Sequence, residues 1–404
     1  MFRWLRSMSI ISRRDFLIVF TLLFNAFTWL FMTSMIMNDR TLNPNAATTL
    51  QAIFYFAVIG SAISGSLLSE KIRRLDILYV WMGLGIFSSF LLTFFCIMEI
   101  PYMSIVFLLL GISFGIGMPS SLAYLADYTS VDNRGRISSL IFFGVNLGAL
   151  PVAILFTEFN LLTNSIILTV WRGLGLLVFV FLKPQETKSV ETTSKVTFFS
   201  VINNKSMVLY LLPWIMFTMI DSLEKLLLKN FVGPDLYSIT LTVEPVIASL
   251  FILIGGFLAD RIGRKRVVTY GFVALGLAYA IVGLSPTPLA WYLYIAIDGV
   301  SGGILLIIFI LVLWGDLSEP GVREKYYAIG NVPFLMKNII PVILLTSLMK
   351  VEVTAAFSVA SFFLFLAVPA LMYAPETLPQ KKIELRQLKG YIEQAKKVSE
   401  KYLK

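Results

Sequence analysis

Twelve stretches of about 20 apolar residues, each followed by a short polar connection, leave this chain few folds to choose from. They fall at 16–37, 49–69, 77–98, 102–126, 137–157, 163–182, 207–228, 237–259, 267–285, 290–315, 326–349 and 354–373. With 57% of its 404 residues apolar and 14% charged, the chain is too hydrophobic for a water-soluble domain of this size. In lipid every backbone N–H and C=O must bond within the protein, so each run is read as a membrane-crossing helix. The basic start (Arg3, Arg6, Arg13, Arg14) precedes an apolar run too long for a secretory leader, so the first run is read as a retained helix.

Twelve spans place both termini on one side. Of the 33 Lys and Arg, only Arg40, Lys229 and Lys350 lie in the opposite connections, and Arg172, Lys225 and Lys337 lie within spans. The rest sit in the terminal segments and the even-numbered connections, which predicts cytoplasmic termini in a multi-pass protein of the cell membrane. Cations spread over such loops do not form a nucleic-acid face. Histidine is absent and Cys96 is the one cysteine, so no disulfide, zinc, other metal or cofactor site is expected. Proton chemistry then falls to carboxylates. No phosphate-binding glycine loop occurs, and no nucleophile–base pair points to an enzyme.

The loop Gly255-Gly256-Phe257-Leu258-Ala259-Asp260-Arg261-Ile262-Gly263-Arg264-Lys265-Arg266 joins the eighth and ninth spans. A fainter copy lies 191 residues earlier, where Gly65, Arg73 and Arg74 match Gly256, Arg264 and Lys265. Ser69 there replaces the acid and Ile72 the second glycine, which puts an acid's role in that copy in doubt. Asp127 and Arg134 match Asp316 and Arg323 at an offset of 189, and Glu186-Thr187 matches Glu376-Thr377 at 190. Three anchors near one offset indicate a duplicated six-helix unit. The boundaries read as bundles over 1–182 and 207–374, a polar linker over 183–206 and a tail over 375–404. In the tail, Leu385, Leu388, Ile392, Ala395, Ser399 and Tyr402 recur at helical spacing. That helix lies on the inner leaflet or stands in solvent, stitched by Glu393–Lys397 and Glu400–Lys404.

These motifs resemble the major facilitator superfamily, in which G-x-L-x-D-R-x-G-R-R/K joins the second and third helices of each half. Gly111, Gly115, Tyr124, Asp127 and Arg134, with Pro375-Glu376-Thr377, are similar to signatures of its sugar and organic-solute porter branch. The resemblance implies an all-α membrane protein of 12 transmembrane helices in two pseudo-symmetric six-helix bundles. It also implies cytoplasmic gating by Gly256, Asp260, Arg264, Lys265, Asp127, Arg134, Asp316, Arg323 and Glu376. The sugar contacts of that branch do not carry over. Phe142 stands at the fifth-helix glutamine, and the seventh helix reads Pro213-Trp214 without the paired glutamines. Gly111 takes the place of the fourth-helix arginine of drug/proton antiporters.

Charges inside a membrane are costly, and each is a candidate functional site. At ~1.5 Å per residue, Asp221 lies about 21 Å from the basic-side start of its span, and Glu244 about 22 Å from the basic-side end of its own. Two acids at one depth suggest a coupled site, with Pro245 loosening the helix beside Glu244. Asp221 can also pair locally with Lys225, and Asp298 with Lys337. Arg172 lies mid-span on the sixth helix, with Trp171 to anchor or stack on it. Asn25 and Asn146 lie at mid-depth on the first and fifth helices, to hold cargo or to bridge helices. The expectation is a secondary transporter, a monomer, moving a small polar organic solute such as a sugar or an organic acid by alternating access with protons. A uniporter, a proton-coupled exporter and a non-transporting solute sensor are the alternatives.

Overall fold

The computed structural model describes residues 11–38, 44–95, 100–187, 196–341, 352–379, 384 and 388. The first six long helices are α1 (Arg13–Met37), α2 (Pro44–Leu68), α3 (Arg74–Phe95), α4 (Ile100–Tyr128), α5 (Arg134–Glu158) and α6 (Leu161–Phe181). A five-residue helix, Phe198–Ile202, follows in the linker. Then come α7 (Lys205–Phe231), α8 (Pro234–Ile262), α9 (Arg264–Leu284), α10 (Pro288–Ile307), α11 (Arg323–Met336) and α12 (Val353–Tyr373). A π turn, Ile308–Val312, and a final turn, Leu313–Leu317, continue α10. Among the described residues eleven helices are long and apolar enough to cross a membrane. The rest of the span read over 326–349 lies outside the described residues after Pro341, as does most of the tail read over 375–404.

The helices begin one to five residues before the apolar runs, mostly because their first turns are polar. Ser12 Oγ accepts from the Asp15 N–H at 3.0 Å and Asn160 Oδ1 from the Thr163 N–H at 2.9 Å, each satisfying a donor the helix leaves open. Pro234 and Pro288 open α8 and α10, where a missing N–H costs nothing.

Helices α1–α6 pack on one another through the pairs α2–α4, α3–α4, α3–α6, α1–α5 and α1–α6, and α7–α12 repeat much of this through α8–α10, α9–α10, α9–α12 and α7–α12. The fold is two pseudo-symmetric six-helix bundles. They meet where α5 packs on α8 and α11 packs on α2 and α4. Their outward sides carry exposed apolar residues such as Phe56, Ile154, Leu177, Tyr270 and Phe362, which suits contact with lipid tails.

Two features of the fold set up the site. The π turn of α10 leaves carbonyls off the regular ladder. Side chains of α11 catch two of them: Tyr327 Oη donates to Leu311 O at 2.7 Å and Asn331 Nδ2 to Ile310 O at 3.5 Å. At the junction of α8 and α9, Gly263 has φ 106°, a backbone setting that L side chains rarely adopt.

Candidate functional site

The arginines of the even-numbered connections converge where the bundles meet, on the basic face. Arg134 of α5 pairs with Asp316 at the end of α10, and Arg323 of α11 with Asp127 at the end of α4. Each of these acids also holds an arginine of its own bundle. Asp127 takes Arg74, and Asp316 takes Arg264 Nε at 2.9 Å. Asp260 receives Arg136 Nε at 3.1 Å from across the seam, and from its own side Arg264 Nη2 at 2.8 Å. Glu70 pairs with Lys325 across the other seam. The bundles are therefore bound together on this face by ion pairs, most of them buried.

The register of the repeat differs from the sequence match. Arg74, not Arg73, stands where Arg264 stands: each begins its helix and each binds the acid at the end of the fourth helix of its bundle. Arg73 instead makes an exposed local pair with Asp76 at 2.8 Å. The offset is then 190, and it turns Asp260 into Glu70. The acid of the first copy was never lost; it is Glu70, and it crosses to Lys325 just as Asp260 crosses to Arg136. Ser69 misled the match because aligning on glycines hid a one-residue slip.

Glu376 and Lys265 work inside the second bundle. Glu376 accepts from the backbone N–H of Arg264 at 2.8 Å and of Lys265 at 3.2 Å, and so caps α9. Glu186 does the same for α3 through the Leu75 N–H at 3.0 Å. Lys265 Nζ donates to the Met372 carbonyl at the end of α12. Gly256 lies against Gly135 and Ser139 of α5, and a Cβ there would strike the Gly135 carbonyl.

Within the second bundle, the acids sort differently from the sequence expectation. Lys337 Nζ donates to Asp221 Oδ2 at 2.7 Å, so its partner is Asp221 rather than Asp298. Asp221 and Lys337 keep 15% and 21% of their side-chain surface exposed. Glu244 groups with Asp298 and Glu224, with a carboxylate oxygen of each within 4.8 Å of the others. Glu224 is buried, and Tyr279 Oη donates to its Oε2 at 2.6 Å. Tyr294 Oη follows at 3.4 Å from Tyr279 Oη. An all-carboxylate set suits a proton or a hard cation and not zinc. The side chain of Lys225 lies outside the described residues, and with it the expected Asp221–Lys225 pair.

Arg172 is buried in the first bundle. Its guanidinium lies 4.3 Å from the Trp81 ring centroid and 5.6 Å from that of Trp29, and Nη1 donates to Asn25 Oδ1 at 2.9 Å. Asn25 Nδ2 returns to the Trp171 carbonyl at 2.7 Å. Trp171 itself turns away toward Phe24, so the rings over Arg172 are two that the sequence did not suggest. Asn25 thus bridges α1 to α6. Asn146 bonds back to the Phe142 carbonyl of its own helix at 2.8 Å and is only partly buried.

Sequence reasoning missed Glu70, Arg136, Glu224, Glu324 and Lys325. A tighter repeat alignment would have exposed the first, and offset 189 maps Arg136 onto Lys325. Glu224 was hidden by its neighbour Lys225, which makes the stretch look like a helix end.

Comparison with known proteins fits this geometry. The human organic anion transporter MFSD10 (TETRAN) superposes with a TM-score of 0.69 at 14% identity, over 89% of this chain and 99% of that one. The E. coli fucose:proton symporter FucP gives 0.72 at 11% identity, over 89% and 98%. The proton:xylose symporter XylE gives 0.67 at 16% identity, over 92% and 97%. Puromycin resistance protein pur8 of Streptomyces alboniger is 32% identical over 78 residues, 19% of this chain and only 16% of that protein. The family model for the Major Facilitator Superfamily matches residues 15–223 and 196–400, nearly the whole chain, and the chain belongs to that superfamily of membrane transporters.

Proposed function

We propose that this protein is a proton-coupled symporter of a small polar organic solute, a sugar or an organic acid, in the cell membrane. Both termini face the cytoplasm, and the two bundles (1–182 and 207–374) rock about a central site. The reading rests on one observation above all. Ion pairs close the basic face, while Asp221, Glu244 and Lys337 remain partly exposed in the second bundle. This is one end state of an alternating-access cycle. Asp127, Arg134, Asp260, Arg264, Asp316 and Arg323 form the cytoplasmic gate.

Glu244, with Glu224 and Asp298, carries the coupling proton. Three carboxylates this close in a medium of low polarity cannot all stay ionised, so the group holds and releases protons as solute loads. Lys337 and Asp221 neutralise each other when the site is empty, and a solute carboxylate would take Lys337. The similarity of 78 residues to a puromycin resistance protein favours a second reading, in which the same proton site drives export.

The experiment is uptake into proteoliposomes under an imposed pH gradient, across a panel of sugars and organic acids. Glu244→Gln should cut proton-driven accumulation at least about tenfold while solute exchange without a gradient persists. Full accumulation in E244Q sinks the assignment. Accumulation that follows sodium instead of pH would make the coupling ion a metal cation, and movement only against the inward proton gradient would select export.

A further inference from the structure

We infer that Glu324 is the lock of the α2–α11 seam, which depends on a buried ion pair, Arg74–Glu324, that has no counterpart at the α5–α8 seam among the described residues. The inference deepens the alternating-access reading and rests on it. The pseudo-symmetry carries Arg134–Asp316 onto Arg323–Asp127 and Arg136–Asp260 onto Lys325–Glu70. Two facing positions break it. The counterpart of Glu324, 189 residues earlier, is Gly135.

At the α5–α8 seam, the absence of a side chain at Gly135 lets backbones touch. Its N–H donates to Asp260 Oδ1 at 3.0 Å, and an added Cβ would strike the Gly256 carbonyl and Asp260. At the α2–α11 seam, Glu324 replaces that glycine and Ser66 stands at the place of Gly256. The packing there is looser. A small cavity opens between Ser66, Ser69, Glu70, Val322, Glu324 and Lys325.

What spans this looser seam is charge. Arg74 directs Nε and Nη2 at Glu324 Oε1, at 2.9 and 2.8 Å, with both side chains buried. In the second bundle the matching arginine, Arg264, gets its extra acid from its own side, Asp260. Glu324 therefore turns a bond within one bundle into a bond between bundles. Without Glu324, Arg74 and Arg323 share the one carboxylate of Asp127, and the buried group is left with a positive charge that has no counterpart, which favours opening this seam to water. The α5–α8 seam, where backbones touch, Arg136 reaches Asp260 and Arg264 reaches the Val131 carbonyl, is bridged without Glu324.

Two cysteine reporters in a Cys96→Ala background test this on purified protein without solute. Ser69→Cys reads the α2–α11 seam and Ser139→Cys the α5–α8 seam, each through its rate of reaction with a charged methanethiosulfonate. Glu324→Gln should raise the rate at the first at least about tenfold and at the second by less than about threefold, and Glu324→Asp should restore most of the protection. An unchanged rate at the first reporter, or equal rises at both, overturns the inference. If E324Q does not yield monodisperse protein, Arg74→Lys, which keeps the charge and loses the two-pronged donation, is read by the same criteria. The assay needs no solute and no pH gradient. Its failure leaves the symport reading standing, and a failure of proton-driven uptake leaves the lock standing.

Discussion

Asn25 and Asn146 look alike in the sequence, each a lone amide halfway along an apolar run. The structure separates them by what each oxygen meets. Asn25 gives its carbonyl to a buried guanidinium that, among the described residues, has no carboxylate beside it. A hydrogen bond to a charged group contributes about 1.5–3 kcal/mol, and Asn25→Ala should lower the stability of the purified protein by that order in a denaturation series. Asn146→Ala, which removes a bond to its own helix, should change stability by less than about 1 kcal/mol. If solute binding weakens in N146A alone, Asn146 faces the cargo. Glu70 teaches a related lesson. Its role depends on a partner 255 residues away, Lys325, and no local pattern around Glu70 announces it.

At the scale of the helix, apolar run length was readable, because it is a property of one stretch of chain. Which helix faces which was not. Gly256 was legible as a position in the loop motif, but that it packs on α5 of the other bundle was not. Gly256→Ala puts a methyl group against the Gly135 carbonyl, where backbone cannot give way cheaply. The variant should favour the state open on the basic face, by at least about fivefold in population, read as a shift in distance between spin labels on α5 and α8. An unchanged distance distribution would mean that the seam has slack the geometry does not suggest.

For the whole molecule, length, hydropathy and the placement of Lys and Arg were enough to reach a twelve-helix membrane fold, since those properties add up along the chain. The site was legible only in part. Asp221, Glu244, Asp298 and Lys337 stood out as membrane charges, yet their pairing depends on helix rotation and depth together, which spacing within one helix does not determine. The closed face is stabilised mainly by pairs shielded from water, such as Arg134–Asp316 and Arg74–Glu324. Mobile ions screen such pairs poorly. Raising salt from about 0.1 to 0.5 M should therefore change the closed population by less than about twofold, read by the same spin labels. A large salt response would place the controlling pairs at the exposed rim.

The π turn of α10 also sets the angular phase of everything after it. Residues in an α-helix advance by about 100° each, and the wider winding of a π turn absorbs about one extra residue, so Asp316 stands where a plain helix one residue shorter would put it. Removing a single residue from Ile308–Val312 would therefore let α10 run as a plain helix with Asp316 still turned toward Arg134 and Arg264, whereas a residue added between the π turn and Asp316 would swing it away from both by roughly a quarter of a circle. A chain that tolerates conservative changes throughout this stretch is thus expected to accept the shorter form and to reject the longer one.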